Sequence, residues 1–238
     1  IDKLSFTQPG MEITGNGTWT LNNDSEHSDF DLVLQSESLA MMMSTFNYNT
    51  EPVSEGKTRF ILNAQWPGSP MDFSLADLTG SLKIKINKGK FLKIEPKSDR
   101  MFGLLNLQTL IRLVSLDFSV LFSKGYAFDK IEGSFDIESG NAYTNDLAIK
   151  GDSADIDIIG RTGLVDKDYD QVAIVTPQAL FGPIGAGLGA VIFLASEVFK
   201  SIPEKIDALL RYQYTIKGTW EKPVIEKYNG NGDGDEGG

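Results

Sequence analysis

Cysteine is absent from this 238-residue chain, and histidine occurs once, as His27. Those two shortages exclude a disulfide framework, thiolate metal sites, Cys-His and Ser-His-Asp nucleophile systems, and multi-histidine metal centres. His27 sits in the polar stretch NNDSEHSD and reads as a solvated loop residue between two strands. Positive charge is also scarce: 22 Lys and Arg face 33 Asp and Glu, a net charge of -11. The average surface repels polyanions, so no nucleic-acid partner is expected. Phosphate-cradling glycine patterns are missing too. GAGLGA at 185–190 has glycines at alternate positions but none of the companion features of a dinucleotide fold. No cofactor is expected, no pair of carboxylates is singled out for acid and base roles, and the chain reads as a non-enzyme.

A continuous run long enough to cross a bilayer is lacking as well. No Asp, Glu, Lys or Arg occurs between Asp170 and Glu197, but Thr176, Pro177, Gln178, Gly182 and Pro183 interrupt that stretch. Gly185 to Ser196 is left as the continuous apolar piece; about twelve residues rise roughly 18 Å, against a hydrocarbon core of roughly 30 Å. Such a segment must be buried against the rest of the protein or dip into a membrane surface. Starting at Ile1 with no initiator Met, the chain reads as a fragment or a processed product.

What the sequence does have is period two. Phe30, Leu32 and Leu34 are spaced by Asp31 and Val33; Leu82, Ile84 and Ile86 by Lys83 and Lys85; Ile156 and Ile158 by Asp157. Alternation of this kind makes strands with one dry and one wet face. Further strands are expected at Met11–Leu21, Arg59–Trp66, Ser134–Ile137, Leu147–Lys150, Gln171–Thr176 and Tyr212–Thr219. Turn chemistry at Asn87-Lys88-Gly89, Ser139-Gly140-Asn141 and Lys150-Gly151-Asp152 separates them, giving a long antiparallel meander. Three apolar segments interrupt it with helical or irregular character: Ser36–Phe46, Met101–Phe122 and Gly185–Leu210, the last weakened by its glycines and broken near Pro203. After Tyr228 the tail NGNGDGDEGG has no apolar residue, and 228–238 is expected to be disordered.

A degenerate repeat accompanies the alternation. Gly80-Ser81-Leu82-Lys83-Ile84 parallels Gly133-Ser134-Phe135-Asp136-Ile137, and Gly-Thr-Trp occurs at 17–19 and 218–220. Both readings stay open here: generic hairpin geometry, or a repeating hairpin architecture. Asp166, Asp168 and Asp170 have the opening spacing of a calcium loop, yet Gln171 stands where that loop needs glycine and Pro177 where it needs glutamate, so they read as a solvated turn with no metal.

The region 103–178 carries ordered blocks that resemble a known family. They are Gly103-Leu104-Leu105-Asn106-Leu107-Gln108, Ser115-Leu116-Asp117-Phe118-Ser119, Phe128-Asp129-Lys130-Ile131-Glu132-Gly133, and Gly160-Arg161-Thr162-Gly163-Leu164 with Asp168-Tyr169-Asp170-Gln171. Tyr212-Gln213-Tyr214 and the stretch from Gly218 to Ile225 continue the match. Together they resemble the C-terminal region of the AsmA-like family of Gram-negative envelope proteins, in its YhdP branch, over about 100–225; residues 1–99 fit by their strand-rich character. Ile111, Leu113 and Val120 depart from the pattern, each making the segment more apolar.

The resemblance implies a mainly β fold: a curved antiparallel meander forming an open groove or trough over 1–227, with two or three short apolar or amphipathic helices. It implies phospholipid transport between inner and outer membrane, with acyl chains along the apolar face and this chain at the distal end of a periplasmic conduit. Partners would be phospholipid acyl chains and the inner leaflet of the outer membrane or an outer-membrane protein. The intact protein would be anchored in the inner membrane by a segment missing here. The alternative is an envelope structural or assembly factor, like the related TamB branch, whose sheet chaperones or tethers outer-membrane components. Ten groove residues are expected on one concave face: Phe30, Leu32, Leu34, Leu82, Ile84, Ile86, Phe135, Ile137, Ile156 and Ile158. A covering helix would present Leu104, Leu105, Leu107, Leu110, Ile111 and Val114. A membrane-contact helix would present Leu188, Val191, Ile192, Leu194 and Phe199.

Overall fold

A computed structural model describes residues 1–22, 25–46, 50, 53–92, 126–177 and 212–227. The strands in chain order are β1 (Leu4–Gln8), β2 (Met11–Asn22), β3 (Ser25–Ser36), β4 (Val53–Pro67), β5 (Thr79–Phe91), β6 (Tyr126–Glu138), β7 (Asn141–Gly151), β8 (Ala154–Gly163), β9 (Asp168–Pro177), β10 (Tyr212–Thr219) and β11 (Pro223–Lys227). They form one open sheet in which spatial order equals sequence order, antiparallel throughout. Alternation dictates this outcome: each strand needs one face against apolar neighbours, and a short turn back is the cheapest way to supply one.

Among the described residues the one α-helix is α1 (Leu39–Thr45), inside the Ser36–Phe46 segment. Ser38 caps it, its side chain accepting from the Met41 N–H, and Leu39, Met42 and Met43 turn inward at helical spacing. The Met101–Phe122 and Gly185–Leu210 segments lie outside the described residues. The chain leaves the sheet for them after Phe91 and Pro177 and returns at Tyr126 and Tyr212. Those four residues lie at the α1 end, since Phe91 pairs with Tyr126 and Val175 with Tyr212.

Two local expectations are corrected. Asn87-Lys88-Gly89 does not reverse the chain: β5 runs through it, and Lys88 (φ 52) lies across from the irregular Glu55 (φ 61) and Gly56 (φ 91) of β4. Pairing on both sides holds β5 extended, so the left-handed residues make a local irregularity in the ladder instead of a turn. His27 is not in a loop either. It lies within β3, opposite Thr20 and Pro67, and stays exposed. By contrast Ser139 (φ 47) and Gly140 (φ 73) do turn the chain between β6 and β7.

The two halves of the degenerate repeat turn out to pair with each other. Gly80 faces Ile137, Leu82 faces Phe135 and Ile84 faces Gly133 across β5 and β6. Each glycine thus leaves room opposite the other strand's terminal isoleucine.

Candidate functional site

Register places all ten expected groove residues on one face. Leu32, Leu82 and Phe135 fall in one cross-strand row with Leu62 of β4. Phe30 and Ile137 belong to the row above, through Ala64 and Gly80. Leu34 and Ile84 belong to the row below, through Phe60. Ile86 continues through Ile131 and Ile149 to Ile156, and Ile158 lies two residues along β8 on the same side. The expected covering-helix and membrane-contact residues lie outside the described residues.

Glycines on this face bring neighbouring strands close together. A Cβ at Gly15 would stand 2.1 Å from the Asp31 carbonyl oxygen, one at Gly80 2.0 Å from that of Asn63, and one at Gly160 2.4 Å from that of Asp170. In a flat sheet a Cβ projects clear of its neighbour's backbone. At Gly80 (φ 152) and Gly160 (φ 124) the backbone itself takes angles that side chains rarely adopt, and at all three points only glycine lets the neighbouring strand pair this closely. Elsewhere aromatic rings cover glycines: Phe30 lies over Gly17, and Phe128 over Gly89.

Burial varies along the face, and in β2 to β5 buried residues such as Phe30, Ala64, Ile84 and Ile86 stand beside less buried ones. Across β2 to β5, Ile13, Leu32, Leu34, Phe60, Leu62 and Leu82 are only half-buried. Across β6 to β10, Ile131, Ile149, Ala173, Val175 and Ile216 are fully buried. Aromatic clusters stand at both ends. At one, Phe30 stacks on Trp66 with centroids 5.3 Å apart, and Phe73 meets Trp66 edge-on. At the α1 end, Phe91 lies against Tyr126 and Phe128, and the Tyr126 hydroxyl donates to the Ala154 carbonyl at 2.8 Å. Burial pushes that phenol well above its ordinary pKa, with Asp155 and Asp152 adding to the effect.

The opposite face is polar and cross-linked. Gln65 donates to Asp29, Asn63 to Asp31, and Ser81 to Asn63. Asp168, from the triplet with calcium-loop spacing, accepts both guanidinium nitrogens of Arg161 at 2.8 Å; those hydrogen bonds hold its carboxyl below the usual range. Burial alone would push Asp146 up, but hydrogen bonds from the Ser134 N–H and hydroxyl and from Thr144 outweigh it and hold the carboxyl low. Among the described residues no three potential ligands cluster for a metal ion, and no helix is long and apolar enough to cross a membrane.

Phe60, Leu62, Ile131, Ile149, Tyr214 and Ile216 share the apolar face but were not among the residues expected there. For β4 a signal existed: Phe60, Leu62, Ala64 and Trp66 alternate, though Ile61 on the other face blurs the contrast.

No solved structure matches the chain. The intermembrane phospholipid transporter YhdP of Escherichia coli (strain K12) is 26% identical over 223 residues, which cover 90% of this chain and 17% of that protein. The chain thus spans well under a fifth of the relative's length. A family model described as YhdP protein matches residues 1–225, taking in the N-terminal strands that had fitted by pattern alone. An unbroken meander with one apolar face, matched from its first residue to the middle of its last strand, belongs to the YhdP family.

Proposed function

We propose that the apolar face carries phospholipid acyl chains as part of a longer groove between the inner and outer membranes, with this chain forming its distal, C-terminal portion in the periplasm. The observation that carries the reading is the shared face: all ten alternating apolar residues lie on one side of a single open antiparallel sheet. The named activity of the Escherichia coli relative supports it. About ten acyl methylenes left in water cost roughly 8 kcal/mol, which is the burden the groove lifts from a lipid in transit. Passage of this kind needs no bond chemistry.

The half-buried residues Leu32, Leu34, Phe60, Leu62 and Leu82 are where acyl chains would lie, while their buried neighbours on the same face act as supporting core. The strand ends that lead to and from the 101–122 and 183–199 segments, Phe91, Tyr126, Pro177 and Tyr212, lie at the α1 end. In this reading the first segment closes part of the trough and the second reaches the apolar layer of the outer membrane. The buried residues favour a second reading, an envelope assembly or tethering factor whose apolar face is packed by protein throughout.

Native mass spectrometry of the chain purified without detergent separates the two. Phospholipid adducts that disappear in Leu62→Asp and Leu82→Asp variants are expected of a groove. A lipid-free parent that gains no adduct from added phospholipid would leave only the assembly reading.

A further inference from the structure

The polar face carries a feature that lipid passage along the opposite face does not use. Arg59 of β4 stands directly across from Lys85 of β5, and Lys83 lies two residues along β5 on the same side. Like charges in directly opposed cross-strand positions destabilise a sheet. In a chain with 33 acidic residues against 22 basic ones, a carboxylate could have been placed among them at little cost. Two carboxylates, Glu132 and Asp146, line the same surface depression as these cations, and each is held by another partner. Glu132, across from Lys85 on β6, pairs with Lys130 at 2.5 Å. Asp146 accepts the Ser134 N–H and hydroxyl, each at 2.7 Å. Among the described residues none of the three cations has an ion-pair partner within 4 Å. The depression they border measures about 740 Å³ on the outer surface of β4 to β7, with Ile61 and Ala148 contributing an apolar floor.

We propose that this depression is an anion site for a phosphate group borne on a larger molecule. Arg59 offers the planar fork that grips two phosphate oxygens, and Lys83 and Lys85 add point charges on one side of it. Three cations stand against the two carboxylates that also line the depression, Glu132 and Asp146, so the lining keeps an excess of positive charge suited to a singly charged phosphate ester. The apolar floor accommodates the carbon skeleton next to the ester. Because the long-range field of a chain at -11 opposes anions, affinity rests on short-range contacts, and added salt weakens it only moderately. The site faces away from the acyl-chain surface, so its failure leaves the groove reading untouched.

Two sources could present such a phosphate, a lipid headgroup or a soluble phosphate ester, and the test has an arm for each. Inorganic phosphate is titrated into the full chain by calorimetry at constant ionic strength. Phosphatidylcholine vesicles with and without phosphatidylglycerol are tested by co-flotation. Both are repeated on R59Q/K83Q/K85Q and on K3Q/K57Q/K217Q, which changes charge equally at exposed positions outside the depression. Loss of the charged hydrogen bonds should weaken phosphate binding about tenfold or more in the first variant and leave the second near the parent. Removing opposed like charges should leave the melting temperature of the first variant at or above the parent's; if it unfolds instead, K83Q alone should show a smaller loss in the same direction. Flotation with phosphatidylglycerol vesicles that only the first variant loses assigns the source to a headgroup, and phosphate binding without flotation assigns it to a soluble ester. Absence of both, or equal loss in both triple variants, overturns the site.

Discussion

Gly80→Ala tests the close approach of β4 to β5 with a single carbon atom. The added Cβ would lie 2.0 Å from the Asn63 carbonyl oxygen and 2.9 Å from its carbonyl carbon, both main-chain atoms of β4 that cannot rotate aside. Contact at ordinary van der Waals distance requires the two strands to part by about 1 Å, which sacrifices one or two ladder hydrogen bonds worth about 1 kcal/mol each. Gly80 also has φ 152, where a side chain is strained by about 1–2 kcal/mol. The total is about 2–4 kcal/mol, or a fall in melting temperature of roughly 5–15 °C for a domain of this size. Thermal denaturation followed by circular dichroism measures it, with Thr79→Ala, an exposed neighbour on the same strand, as the control. A Gly80→Ala protein that melts within the control's range would refute the close approach of β4 to β5 at this glycine.

Phe30→Ala removes the ring that stacks on Trp66 and covers Gly17. It should cost about 3–4 kcal/mol in urea unfolding, most of it from the cavity left behind. Arg161→Ala should cost about 1–2 kcal/mol at neutral pH, because it breaks a bidentate but partly exposed pair. The carboxyl of Asp168 is held low in the folded state. Its contribution is therefore present above the ordinary carboxylate range and lost as the pH falls through the depressed folded value, so acid should unfold the variant with a shallower pH dependence than the parent. Leu188→Asp and Ile192→Asp distinguish two roles for the 183–199 segment: variants that fold like the parent but lose liposome binding fit a membrane contact, whereas a large drop in melting temperature fits burial in the core.

Much of the sheet was legible because its strands obey a single rule. β3, β5 and β8 alternate cleanly, and their apolar sets, Phe30 to Leu34, Leu82 to Ile86 and Ile156 to Ile158, end up side by side. Tyr212–Thr219 has the bounds expected for it. Strict alternation failed where a bulge shifts the parity. Tyr126 and Phe128 share a face with Ile131 because the register slips between Phe128 and Lys130, so a search at period two finds only Ser134–Ile137 of β6. The slip between Thr144 and Leu147 shortens the expected β7 in the same way. The left-handed Lys88 and Glu55 were beyond reach for another reason: their residue types ordinarily avoid that conformation, and only pairing with flanking strands holds them there. The close approaches at glycine were half legible. Glycines inside strands signal close approach, but which neighbour approaches depends on register, which tertiary pairing sets.

If phospholipid travels on the apolar face, site-specific photocrosslinking in living cells should catch it there. A photoreactive residue replaces Leu62, Ile84 or Ile137 on that face, or Gln65 or Asp136 on the other, in the full-length protein, and captured phospholipid is identified by mass spectrometry after illumination. Strong capture at Leu62, less at the more buried Ile84 and Ile137, and none at Gln65 and Asp136 is the expected result. Capture of equal strength on both faces, or none at Leu62, would contradict the groove.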